Sequence, residues 1–138
     1  MVPLADDAGH ARIIAGRFGN TDGAAETFTE LNVWDIVLNS GAGADLDVPA
    51  SHNLMLVVLR GEVRINGSQS VQASQMATFE RESGNVKVEA VGGEAKILLL
   101  SGVPIDEPVV GYGPFVMNTE AEIAEVMNEF RSGKFGAV

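Results

Sequence analysis

The chain has 138 residues, 46% of them hydrophobic, no cysteine and a formal net charge of −10. That length suits one ordinary domain with a packed core, and the lack of thiols excludes disulfide frameworks, thiolate metal sites and cysteine nucleophiles. An excess of carboxylates with no local Lys/Arg cluster argues against direct contact with nucleic acid or with an anionic membrane.

From the amino terminus, Met1 to Leu4 run straight into Asp6 and Asp7, with no basic stretch ahead of an apolar one. The longest unbroken apolar run, Leu54 to Leu59, is six residues. No secretory leader and no membrane span are expected, and the default location is cytoplasmic. Residues 1–10, with Pro3, Asp6, Asp7 and Gly9, read as an arm. A short strand follows at Ala11 to Ala15, then a loop rich in residues that tolerate positive φ, from Gly16 to Gly23.

Phe28 to Leu38 is the longest strand candidate, with Phe28, Glu30, Asn32, Trp34, Ile36 and Leu38 on one face. Ala44 to Val48 resumes the alternation after a turn. Asn53 to Leu59 is apolar on both faces, as a strand covered on each side would be. Arg60-Gly61 turns it into Val63 to Asn66, where Asn66-Gly67 signals another tight turn. Shorter strands follow near Met76 to Phe79, Val86 to Val91 and Lys96 to Leu100. Strands at this spacing, with no helical pattern between them, predict an all-β antiparallel sandwich or barrel over residues 11–118.

The end of the chain changes character. Thr119-Glu120-Ala121-Glu122 matches a capping box, with Glu122 expected to reach back to the backbone N–H of Thr119. Ile123, Val126, Met127 and Phe130 then form one apolar stripe, and Gly133 stops the helix. One C-terminal helix over residues 119–133, on or beside the barrel, is expected.

The stretch Glu107-Pro108-Val109-Val110-Gly111-Tyr112-Gly113-Pro114-Phe115-Val116-Met117-Asn118-Thr119, then the helix and Gly133-Lys134-Phe135-Gly136, resembles the carboxy-terminal end of the pirin family. Ile13-Ile14-Ala15-Gly16, the run from Pro49 to Gly61 and Ser101-Gly102-Val103-Pro104 resemble further parts of that family's second domain. The resemblance implies a cupin fold, a double-stranded β-helix built as a barrel. It also implies a two-barrel protein whose amino-terminal half holds one iron through three histidines and a glutamate, while the second barrel holds no metal. This sequence resembles only that second half, as an excised domain or as a short family member. The family is associated with transcriptional co-regulation and with quercetin 2,3-dioxygenase activity, both resting on the other barrel.

A cupin metal site needs two histidines one residue apart, a nearby glutamate and a third histidine on another strand. Aligned on Gly61, the glutamate position is Leu54 and the histidine positions are about Val48 and Ala50. Anchoring on His52 instead brings no acid before Glu62. His10 and His52 are the only histidines, so no catalytic residue, cofactor contact or metal ligand is assigned, and no cofactor is expected in this chain. His52 reads as a loop histidine bonded to backbone rather than as an acid–base residue at a barrel mouth. Glu80/Glu82 and Asp106/Glu107 read as solvated charges. Ser40 and Ser51 lack the context of a hydrolase nucleophile, and Gly16 to Gly19 lacks that of a phosphate loop.

The expected role is a metal-free structural and protein-interaction module. Its candidate interface is Tyr112, Phe115, Ile123, Val126, Met127 and Phe130, which would pack on the barrel or face the missing domain or a second copy of this chain as a homodimer. The alternative is a stand-alone cupin enclosing a small apolar or flavonoid ligand among Trp34, Leu54, Leu56, Val58 and Met76.

Overall fold

Period-two patterning carries through into the strands of the computed structural model, which describes residues 1–80 and 84–136. In chain order these are β1 (Val2–Pro3), β2 (Gly9–Ala15), β3 (Arg17–Phe18), β4 (Thr21–Asp22), β5 (Leu31–Leu38), β6 (Gly43–Asp47) and β7 (Asn53–Arg60). Then come β8 (Glu62–Ile65), β9 (Gln69–Gln72), β10 (Met76–Phe79), β11 (Asn85–Ala90), β12 (Ala95–Gly102), β13 (Val110–Tyr112), β14 (Phe115–Met117) and one helix, α1 (Glu120–Arg131).

The chain divides into two compact units, Met1–Pro104 and Ile105–Val138. The first contains a six-stranded sheet, ordered β1-β2-β5-β12-β7-β10, and a four-stranded one, ordered β6-β11-β8-β9. The pairings within both sheets are antiparallel. The chain passes back and forth between the two sheets, which share one apolar core. This is the antiparallel sandwich the strand spacing anticipates, of the kind the family resemblance implies, with its sheet edges left open.

In β5 the inward set is Asn32, Trp34, Ile36 and Leu38, all buried, while the alternate residues are half-buried. β12 contributes Ala95, Ile97, Leu99 and Ser101, and β7 contributes Leu54, Leu56 and Val58. Aliphatic side chains from the four-stranded sheet, among them Leu46, Val63, Val86 and Val88, complete the core. Phe18 packs edge-on against Trp34 with ring centroids 4.9 Å apart.

Four features differ from the pattern-based expectation. Residues 1–10 are not a free arm: β1 pairs with β2, and Leu4 and Ala8 are buried in the core. β5 starts at Leu31 rather than Phe28, because Thr27 Oγ1 donates to the Thr29 carbonyl and holds a local turn, leaving Phe28 fully exposed. β9 is an additional strand, continuing the hairpin beyond Asn66 and Gly67, both of which adopt positive φ. Residues 105–118, expected within the barrel, group with the helix, and 110–117 form the β13–β14 hairpin.

In the second unit, Thr119 caps α1. Its Oγ1 accepts from the Glu122 N–H at 3.2 Å. The Glu122 carboxylate accepts from the Thr119 hydroxyl at 2.8 Å rather than reaching the backbone N–H of Thr119. The helix thus has half of a reciprocal box, plus acidic residues Glu120 and Glu122 in the first turn, where the helix dipole favours them. Thr119→Ala is expected to cost about 1 kcal/mol in denaturant unfolding, and Thr119→Ser to cost almost nothing. No helix among the described residues is long and apolar enough to cross a membrane.

Candidate functional site

Polar residues at inward-facing strand positions stand out in a core otherwise built of hydrocarbon. Asn32 opens the inward series of β5 and Ser101 closes that of β12, and the strand register places them directly opposite each other. His52 sits in the turn ahead of β7, its backbone N–H bonded to the Pro49 carbonyl at 3.0 Å. All three are buried, His52 to 3% exposure.

Their side chains form one hydrogen-bonded relay anchored on the backbone. The N–H of Arg17, which can only donate, binds Asn32 Oδ1 at 3.0 Å. Asn32 Nδ2 therefore donates to Ser101 Oγ at 3.1 Å, and Ser101 Oγ is hydrogen-bonded in turn to His52 Nδ1 at 3.2 Å. On the other side of the ring, His52 Nε2 lies 3.4 Å from Glu30 Oε1. Four segments far apart in sequence meet at this end of the sandwich.

Gly16 makes the relay possible. Its φ is +77°, and a Cβ there would overlap Asn32 Oδ1 and the Leu31 carbonyl oxygen. Beside the relay lies a cleft of about 710 Å³, lined by Arg17, Asp22, Glu30, Asn32, Asp47 and Pro49 among others. Arg17 is committed locally, donating from Nε to the Gly19 carbonyl at 3.1 Å with Asp22 Oδ1 3.7 Å away. The arrangement offers hydrogen-bond donors and acceptors at a polar mouth. Its Ser101 hydroxyl is too buried, and already bonded too fully, to act as a nucleophile.

The donor set does not fit a cupin iron centre. Among the described residues no group of three or more His, Asp or Glu side chains could hold a metal ion. The expected ligand positions Val48 and Leu54 are inward-facing core aliphatics, and Ala50 is exposed in a turn. His10 pairs with Val37, near the far end of β5 from Asn32. Five residues of strand separate those positions, roughly 16 Å, so the two histidines cannot share an ion.

Of the sequence-derived sites, His52 is placed differently from expectation: its ring bonds to side chains, not to backbone. Trp34, Leu54, Leu56 and Val58 do line the interior but fill it, whereas Met76 points out at 56% exposure because Ala77 and Phe79 are the inward residues of β10. Glu80 and Asp106 are exposed, and Glu107 accepts from Asn118 Nδ2 at 3.1 Å. Glu82 lies outside the described residues.

The candidate interface residues divide. Ile123 and Val126 are buried, Met127 is half-buried, and Tyr112 and Phe130 are exposed. Phe115 pairs with Tyr112 across the hairpin and contacts Phe130 with ring centroids 5.9 Å apart. Phe135, absent from the predicted set, completes the cluster at 6.3 Å from Phe115 and 5.9 Å from Phe130. It lies past the helix stop, where helical periodicity cannot point to it.

Residues 33–136 match the family model described as the Pirin C-terminal cupin domain. The chain is 42% identical, over 97% of its length and 46% of the relative's, to a Pseudomonas aeruginosa protein named "Putative quercetin 2,3-dioxygenase". It is 32% identical to pirin-like protein 2 of Arabidopsis thaliana, over 98% of this chain and 44% of that one. A crystal structure of a quercetin 2,3-dioxygenase from Acinetobacter baumannii superimposes with a TM-score of 0.86 at 43% identity, over 99% of this chain and 47% of the other. The chain therefore spans about half the length of these relatives.

Proposed function

Since the chain belongs to the pirin family, as its carboxy-terminal cupin domain, we propose that it is a metal-free structural and interaction module, built to accompany a second, metal-bearing barrel. The observation that carries this reading is the filled interior. Trp34, Ile36, Leu56, Val58, Ile97 and Leu99 occupy with hydrocarbon the space where a catalytic cupin needs ligands and substrate, each at 1% exposure or less. Dioxygenase chemistry of the kind named for its relatives would then belong to the accompanying barrel, together with the iron.

The exposed aromatic surface of the second unit supports the interaction half of the reading. Tyr112, Phe130 and Phe135 present large rings to solvent around Phe115, and Val109 and Val116 of the same unit are exposed as well. A neighbouring barrel is the partner we assign to that surface. A flavonoid held inside the barrel is disfavoured by the packed core.

Purified without chelator, the chain is expected to carry well under one metal ion by plasma emission spectroscopy and to leave quercetin unconsumed when iron or nickel is added. Near-stoichiometric metal, or turnover by the chain alone, would reverse the assignment.

A further inference from the structure

The two sheets do not close on each other at the β9–β10 corner. β9 ends the four-stranded sheet and β10 ends the six-stranded one. Between them lies a groove of about 530 Å³, with Gln69, Ser70 and Val71 on one wall and Met76, Ala77 and Thr78 on the other. Val58 exchanges backbone bonds with Ser74 and Gln75. The alternation of an antiparallel ladder then makes Leu56–Ala77 and Leu54–Phe79 the hydrogen-bonded pairs. The backbone N–H and C=O groups of Met76 and Thr78 consequently point toward the open edge, and both residues are exposed.

We propose that two copies of this chain associate by antiparallel pairing of β10 with β10 of the second copy, joining two six-stranded sheets across a two-fold axis. Charge selects both the surface and the occupant. A two-fold contact brings side chains close to their own copies, so like charges at the seam repel. In a chain of net charge −10, the fifteen residues from Ile65 to Phe79 form the longest stretch without an acidic or basic side chain, and it contains both β9 and β10. The other edges of the two sheets serve less well. β1 is two residues long and ends in proline, and β6 carries Asp45 and Asp47, which a second copy would double. β9 is uncharged too, but its exposed side chains are the polar Gln69, Ser70 and Gln72. β10 presents instead an apolar, uncharged edge with Met76 at 56% exposure. This association does not depend on the partner assigned to the aromatic surface, which lies in the other unit.

The test is the mass of the full chain by light scattering over a wide concentration range. The expected result is a concentration-dependent rise from 14.5 kDa toward twice that value. Thr78→Lys and Thr78→Glu should each weaken the dimer several-fold, and an equimolar mixture of the two should recover it. Thr78→Pro removes an outward N–H from each copy without touching the β7 ladder, and should weaken it about tenfold. Circular dichroism would confirm that each variant is folded. A monomeric mass at every concentration overturns the proposal. So does a dimer that neither charge at position 78 weakens, since that dimer uses another surface. Recovery in the charge-swapped mixture separates a second copy from any other strand-like partner.

Discussion

Gly16→Ala should lower stability by about 3–5 kcal/mol. Three costs combine. At φ +77° an alanine is strained. Its Cβ overlaps the Leu31 carbonyl oxygen, a backbone atom of a central strand that cannot swing aside. It also displaces Asn32 Oδ1, which breaks the relay at its anchor on the Arg17 N–H. The melting temperature should fall by roughly 10–15 °C for a chain of this size. Gly92→Ala is the control. Its φ is similar at +81°, but a Cβ there meets nothing within 4 Å, so only the backbone cost of about 1 kcal/mol remains. Equal losses at the two positions would show that Gly16 matters for its φ alone.

Ser101→Ala should cost about 2–4 kcal/mol, although it deletes a single oxygen. That oxygen is bonded to both Asn32 Nδ2 and His52 Nδ1, so the change leaves two buried polar groups without that partner. His52→Leu alone removes one of the two bonds at the buried Ser101 hydroxyl. The double variant should therefore cost less than the sum of the singles by about 1 kcal/mol or more. Chemical denaturation of all four proteins measures that coupling. Additivity within about 0.5 kcal/mol would mean the relay is a set of independent contacts. Glu30, mostly solvated at the outer end, contributes little by comparison.

Much of the sandwich was legible because alternation is a direct record of which face is covered. Trp34, Ile36 and Leu38 declare an inward face, and the helix declares itself by its cap and its stripe. β9 escaped because Gln69–Gln72 has only Val71 to bury, and one apolar residue makes no period. The β13–β14 hairpin escaped because Gly111, Gly113 and Pro114 interrupt any pattern. The relay was harder. His52 sits in a turn, where its neighbours in sequence say nothing about its neighbours in space. Yet a signal existed: Asn32 and Ser101 each occupy an inward position at one end of an apolar alternation. Two polar residues at such positions must find buried partners, and a nearby histidine is an obvious one.

The strand order has a consequence for how the protein is made. β12 is the last strand of the first unit in sequence, but it lies between β5 and β7, pairing with both along most of its length. A ribosome must therefore release residues through Gly102 before either of those strands gains its central neighbour. Until then both expose an open edge and hydrophobic side chains, and the growing chain depends on staying unaggregated while it waits. The sheet's centre is also its last delivery, so folding of this unit is a late event in synthesis rather than a progressive one.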